Sequence, residues 1–194
     1  MVNYNSNERS REVLPLIAKI VRIITIPPVL AAALVNVLFS LRMIKFPEAA
    51  VIFFAAVVLP VLPYSVFRER EKQRHFGFVF SGIGYIIALI IALSFGFSPV
   101  AKFMVTTYLV SWFYLILTER FVGIRSSAHA CGTVGPMVML IYLLGFGAVI
   151  PAIAVIVLSF AASLILERHT VGELLVGSMS SLCAMALSFV IFRI

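Results

Sequence analysis

Ala148–Leu166 reads AVIPAIAVIVLSFAASLIL, Glu167–Glu173 reads ERHTVGE, and Leu174–Phe192 reads LLVGSMSSLCAMALSFVIF. Two long runs without a single charged residue flank a short stretch that carries two acids, an arginine and a histidine. A bilayer core takes about 20 apolar residues per helix. Each run therefore reads as a membrane span, and the stretch between them as a polar link at the membrane boundary. If that link opens a helix, His169 and Glu173 are four apart and share a face. A carboxylate so placed fixes an imidazole's tautomer and raises its basicity, which makes His169 a candidate nucleophile.

Composition extends this reading to the whole chain. Of 194 residues, 62% are hydrophobic and only 12% charged, with a mean hydropathy of +1.13. Soluble domains carry about 25% charged residues. The expectation is an all-α, polytopic transmembrane helix bundle of six to seven spans, one integral membrane domain over residues 1–194 with no room for a separate soluble domain. Residues 1–21 read as a polar tail and interfacial helix, and residues 22–194 as the transmembrane core. The opening MVNYNSNERSREV is polar and holds acids, unlike a cleavable signal peptide. Cys131 and Cys183 each lie in or beside an apolar run and read as packing residues rather than a disulfide. The net charge of +7 suits either loops held at anionic headgroups or an anionic substrate. Nucleic acid is excluded as a partner, since no exposed basic domain exists to carry it.

In chain order, residues 1–13 read as a frayed tail and Leu14–Thr25, interrupted by Lys19 and Arg22, as an interfacial amphipathic helix. The first span runs on to about Leu41, and Pro27-Pro28 either kinks it or marks its true start. Further spans cover about Ala49–Phe67, Phe76–Phe97, Val100–Leu117, Thr133–Leu144, Ala148–Leu166 and the last run to Phe192. The charged loops at 68–75, 118–132 and 167–173 are each separated by a pair of spans. Two crossings return a chain to the same face, so all three loops emerge together on one side of the membrane.

The first of these loops reads Arg68-Glu69-Arg70-Glu71-Lys72-Gln73-Arg74-His75, which by itself is also what a solvated loop with local ion pairs looks like. The second holds Arg120, Arg125, Ser126, Ser127 and His129, flanked by glycines and alanines that let a ligand approach the backbone. Ser126 or Ser127 can cap a helix there, and a helix N-terminus would direct N–H groups at an anion. Guanidinium groups suit phosphate oxygens. Two histidines on separate loops suit a nucleophile and a general acid on opposite sides of one phosphorus, and Ser127 can donate to a phosphate oxygen. A metal site is disfavoured by ligand spacing, which only His169 and Glu173 approach. A Ser-His-Asp hydrolase is disfavoured because the chain contains no aspartate.

These motifs resemble those of the type 2 phosphatidic acid phosphatase superfamily of membrane lipid phosphatases. Arg125-Ser126-Ser127-Ala128-His129 is similar to that family's second motif in its Lys-x-Ser-Gly-His form. Arg168-His169-Thr170-Val171-Gly172-Glu173, followed by Leu-Leu-Val-Gly, is similar to the third, with Glu for Asp. Arg68, Arg70, Lys72 and Arg74 match the first loosely. The motifs cover residues 68–177. One departure stands out: the family's arginine six residues before the histidine is Ser163 here, preceded by Ala162. Arg168, Arg125 and Arg120 are the candidates to replace it.

The resemblance implies a phosphatase-like core in the plasma membrane, multi-pass, acting on a lipid phosphate or prenyl diphosphate without cofactor or metal. His169 would attack phosphorus and form a phosphohistidine, oriented by Glu173. His129 would protonate the leaving group. Arg125, Ser127, Arg168, Arg74, Arg70, Lys72 and Arg120 would bind the phosphate. The alternative is a catalytically degenerate relative that binds or transports lipid phosphates, which Ser163 favours. Positive-inside counting puts the motif face in the cytoplasm, yet the same bases are assigned to phosphate and family members often face outward, so both orientations stay open.

Overall fold

The computed structural model describes residues 4–192. Every element among them is helical: α1 (Tyr4–Ile24), α2 (Pro27–Ser40), α3 (Phe46–Phe53), α4 (Leu59–Val66), α5 (Arg70–Ser94), α6 (Pro99–Leu117), α7 (Ala128–Leu144), α8 (Val149–Ile165) and α9 (Val171–Phe192). Five helical stretches are long and apolar enough to cross a membrane, or six if α1 and α2 form one bent span. This is the pattern of a multi-pass membrane protein.

Six meets the lower end of the expected six to seven; the count is no higher because Ala128–Ile165 is helical throughout and stands as one stretch of 38 residues. It doubles back at Gly145, whose φ of 73° is the left-handed region that glycine enters without strain. His129 near one end bonds Ser159 near the other, so α7 and α8 are the two legs of a hairpin. Each leg has 17 residues, the lower end of the range for a full crossing.

The expected tail is replaced by helix from Tyr4; residues 1–3 lie outside the described ones. Pro27 and Pro28 start α2, because their fixed φ suits a first turn and their missing N–H groups cost nothing there. The 50° bend between α1 and α2 falls just before them. Further along, α3 and α4 are joined by a π-turn at Phe54–Val58. Pro60 follows it, and a proline that removes an N–H and crowds the carbonyl four residues back widens the preceding turn.

The outside of the bundle is apolar and the inside is small. On α5, Ile83, Ile86, Ile87 and Ile90 are exposed at helical spacing, a stripe suited to lipid. The opposite side of the same helix carries Gly77, Gly82, Gly84, Ala88 and Ala92, all buried. Gly84 meets α4 and the π-turn, and Gly82 accommodates the Trp112 ring. Such small residues let helices approach closely where lipid offers no hydrophobic drive. Leu34, Leu38, Ile52, Phe103, Met104 and Met139 fill the centre. Away from the motif loops, buried Glu48 accepts hydrogen bonds from Lys45 N, Ser98 N and Ser98 Oγ, which ties the α2–α3 turn to the start of α6. Both cysteines are free, Cys131 buried and Cys183 exposed.

Candidate active site

The site begins with the end of α8. Glu167 takes a left-handed φ of 51°. Its N–H donates to Leu164 O, and Arg168 N–H donates to Ser163 O, both at 3.0 Å. This is the Schellman pattern that terminates helices and reverses the chain. It presents His169 just before α9 begins.

His169 Nδ1 lies 2.9 Å from Glu173 Oε2, but the reason differs from the expectation. His169 is not on the helix and shares no helical face with Glu173. Thr170 caps α9 instead: its Oγ1 accepts from Glu173 N–H, and Glu173 Oε2 accepts from Thr170 N–H, both at 3.3 Å. This reciprocal capping box fixes the carboxylate, and the carboxylate in turn holds the imidazole. Nδ1 is thereby occupied and Nε2 is left for chemistry. Burial lowers the proton affinity of His169 below that of an ordinary imidazole. The Glu173 hydrogen bond and charge oppose this, the Arg22 and Arg125 charges reinforce it, and the net shift is downward.

The second motif meets the third through the backbone. Ser127 N–H donates to Glu173 O at 3.0 Å, and Gly177 one turn further on leaves space for the Ser127 peptide. Ser127 is fully buried. Its Oγ accepts from Ala130 N–H, so it caps α7, the alternative open for it in the sequence. His129, expected in a loop, lies in the first turn of α7 and is 8% exposed. Its Nε2 sits 3.0 Å from Ser159 Oγ on α8, and it lies within the electrostatic reach of His169.

The expected phosphate ligands divide. Arg125 acts on both His169 and Glu173. Arg125, Arg168, His169 and Glu173 line one open pocket of about 410 Å³, with Leu164, Glu167 and Thr170. Arg74 is close enough to join the same field. It belongs to α5, whose first turns absorb Arg70, Lys72 and Arg74 where a loop was expected. Lys72 pairs with Glu69 at 2.8 Å in solvent. Arg70 and Arg120 are exposed, and no hydrogen bond or ion pair joins them to the site among the described residues. A larger depression of about 510 Å³ at the α2–α3 turn, lined by Phe39, Ser40, Arg42, Ile44, Lys45 and Phe46, offers cations but no nucleophile. No group of three or more His, Cys, Asp or Glu suited to a metal gathers among the described residues.

Two features escaped the sequence. Arg22 of α1 donates from Nη1 to Ser163 Oγ at 2.8 Å across 141 residues, and acts electrostatically on both histidines. Ser159 and Ser163 are fully buried on α8 and engage His129 and Arg22 respectively. The available signals were a cation isolated in an apolar run, which in a membrane protein is functional by default, and two serines four apart on an otherwise apolar helix. No family model, curated protein or solved structure matches the chain.

Proposed function

We propose that the protein is an integral plasma-membrane phosphatase with a core like that of type 2 phosphatidic acid phosphatases, hydrolysing a lipid phosphate or prenyl diphosphate. The observation that carries the reading is the His169–Glu173 pair at 2.9 Å, with a second imidazole and cations from separate helices in its field. His169 Nε2 attacks phosphorus and the ester P–O bond breaks. The leaving oxygen takes a proton from His129, whose ring Ser159 holds through Nε2. Water then attacks the phosphohistidine, His129 accepts its proton, and phosphate departs. Charge on the transferring group is balanced by Arg125, Arg168 and Arg74, the kind of preorganised stabilisation that is usually the largest contribution to such catalysis. A lipid substrate fits a site at the end of apolar helices, where headgroups are the nearest phosphates.

A non-catalytic lipid-phosphate binder or transporter drew its support from the serine at position 163. Arg22 bonded to that serine removes much of it. Purified protein in detergent is expected to release phosphate from phosphatidate or a prenyl diphosphate with EDTA present, and His169→Ala to abolish the release. Release that survives His169→Ala, or that requires a divalent metal, overturns the mechanism.

A further inference from the structure

A guanidinium withdrawn from water needs a carboxylate or another anion to balance it. Arg22 is half-buried, and its hydrogen bond goes to a neutral hydroxyl, Ser163 Oγ. No ion pair reaches it among the described residues. Its charged neighbours, Arg168 and Arg74, share its sign. Arg125 adds a further cation beside His169. Of the acids nearby, Glu173 is committed to His169 and Thr170, and Glu167 lines the pocket without pairing to any of these cations. Four cations from α1, α5, the segment before α7 and the turn after α8 thus gather with too little negative charge between them. A compact, multiply charged anion with several acceptor oxygens completes such a cluster.

The docking is specific to the serine. The Ser163 hydroxyl accepts from Arg22 Nη1 at 2.8 Å, a bond that the side chain at this position makes possible. A guanidinium carries five donors, so one bond to Ser163 orients the fork and leaves most of it for a ligand. An arginine at position 163 would put its own side chain where Arg22 now enters; a serine leaves that space to a residue from another helix.

We propose that Arg22, docked on Ser163, is a phosphate clamp of this site: α1 supplies the guanidinium that α8 lacks and binds the non-bridging oxygens of a tetrahedral phosphate monoester beside His169. The clamp rests on the phosphatase reading for its place in the reaction, though its anion binding can be measured without it. The segment that looks like an interfacial helix is on this view part of the site.

The test uses full-length protein in detergent and two probes, inorganic phosphate binding by calorimetry and phosphate release from phosphatidate. Arg22→Ala is expected to weaken phosphate binding at least tenfold and to lower kcat/KM by about 10²- to 10³-fold, the usual cost of one oxyanion donor. Arg22→Lys, which keeps charge but loses the fork, should fall between. Ser163→Arg introduced into Arg22→Ala should recover at least tenfold of the loss, because it returns a guanidinium to the same place from the other helix. Phosphate binding unchanged in Arg22→Ala, or in Arg22→Lys where the alanine variant does not fold, overturns the clamp; so does a double variant no better than Arg22→Ala alone. The two readings fail separately. Wild type that binds phosphate through Arg22 but releases none from lipid sinks the phosphatase and keeps the clamp, whereas full activity in Arg22→Ala does the reverse.

Discussion

One methyl group on α9 tests how the site is assembled. Gly177 lies against the Ser127 peptide: a Cβ there would overlap the Ser127 carbonyl oxygen and come within 3.1 Å of its carbon and 3.2 Å of its nitrogen. All three are backbone atoms, so no rotamer change relieves the clash. In an open helix position Gly→Ala gains about 0.8–1 kcal/mol. Here overpacking costs about 1–3 kcal/mol, and parting the helices also loses the Ser127 N–H to Glu173 O bond, worth about 1 kcal/mol net. The balance for Gly177→Ala is a loss of about 1–3 kcal/mol. Gly172, five residues earlier on α9, meets nothing closer than 3.9 Å, so Gly172→Ala is neutral or stabilising on the same helix. Unfolding of the two variants in mixed micelles reads the sign directly. Activity reads the second consequence. Moving Ser127 shifts His129 relative to His169, and if the two act as proposed, a displacement of about 1 Å between them costs about 10²-fold in rate. If Gly177→Ala matches Gly172→Ala in stability and activity, the α7–α9 contact does not set the site.

Two further outcomes follow from the local geometry. On the proposed mechanism His169 must be neutral to attack, and burial with the Arg22 and Arg125 charges holds it below the ordinary imidazole range of about 6.5 despite Glu173. Activity therefore falls on acidification only below that range; in a pH profile of kcat/KM, Arg22→Ala moves this acid limb to higher pH, and a limb unchanged by the substitution contradicts the electrostatic account. Separately, Glu167 holds a left-handed φ of 51° that costs a non-glycine residue about 1 kcal/mol. Glu167→Gly is expected to stabilise the protein by about that amount in a denaturant titration, and destabilisation would show that the side chain contributes more than the strained turn costs.

The parts of this structure that were legible in the sequence are those encoded locally. Charge-free runs such as Leu174–Phe192 mark helices because a charge at mid-membrane is costly, and Pro27-Pro28 marks a helix start because proline fixes φ. Helix ends were less legible. At a membrane boundary the apolar run stops before the helix does, so Arg70, Lys72, Arg74 and His129 were read as loop residues and lie in first turns. The His169–Glu173 contact was expected from spacing, but its cause was misassigned. The Thr170-x-x-Glu173 capping box that builds it is equally present in the sequence, and its recognition would have started α9 after Thr170 and left His169 outside the helix. The destination of Arg22 had no local signature. Its partner stands 141 residues away, and only a cation isolated among apolar neighbours hinted that α1 had a buried destination.

The same two serines bear on how a cluster drawn from separate parts of the chain keeps its shape. Ser159 and Ser163 are both fully buried, on one face of one rigid helix. Their positions differ by one turn, about 6 Å of rise along the axis. Ser159 fixes the His129 ring and Ser163 fixes the Arg22 guanidinium, so an imidazole and a cation from different helices are both referenced to α8. The Schellman turn at the end of that helix then carries Arg168 and His169. On this reasoning α8 is the ruler of the site: it carries no charged residue of its own, and two hydroxyls one turn apart set where the charges from other helices come to rest.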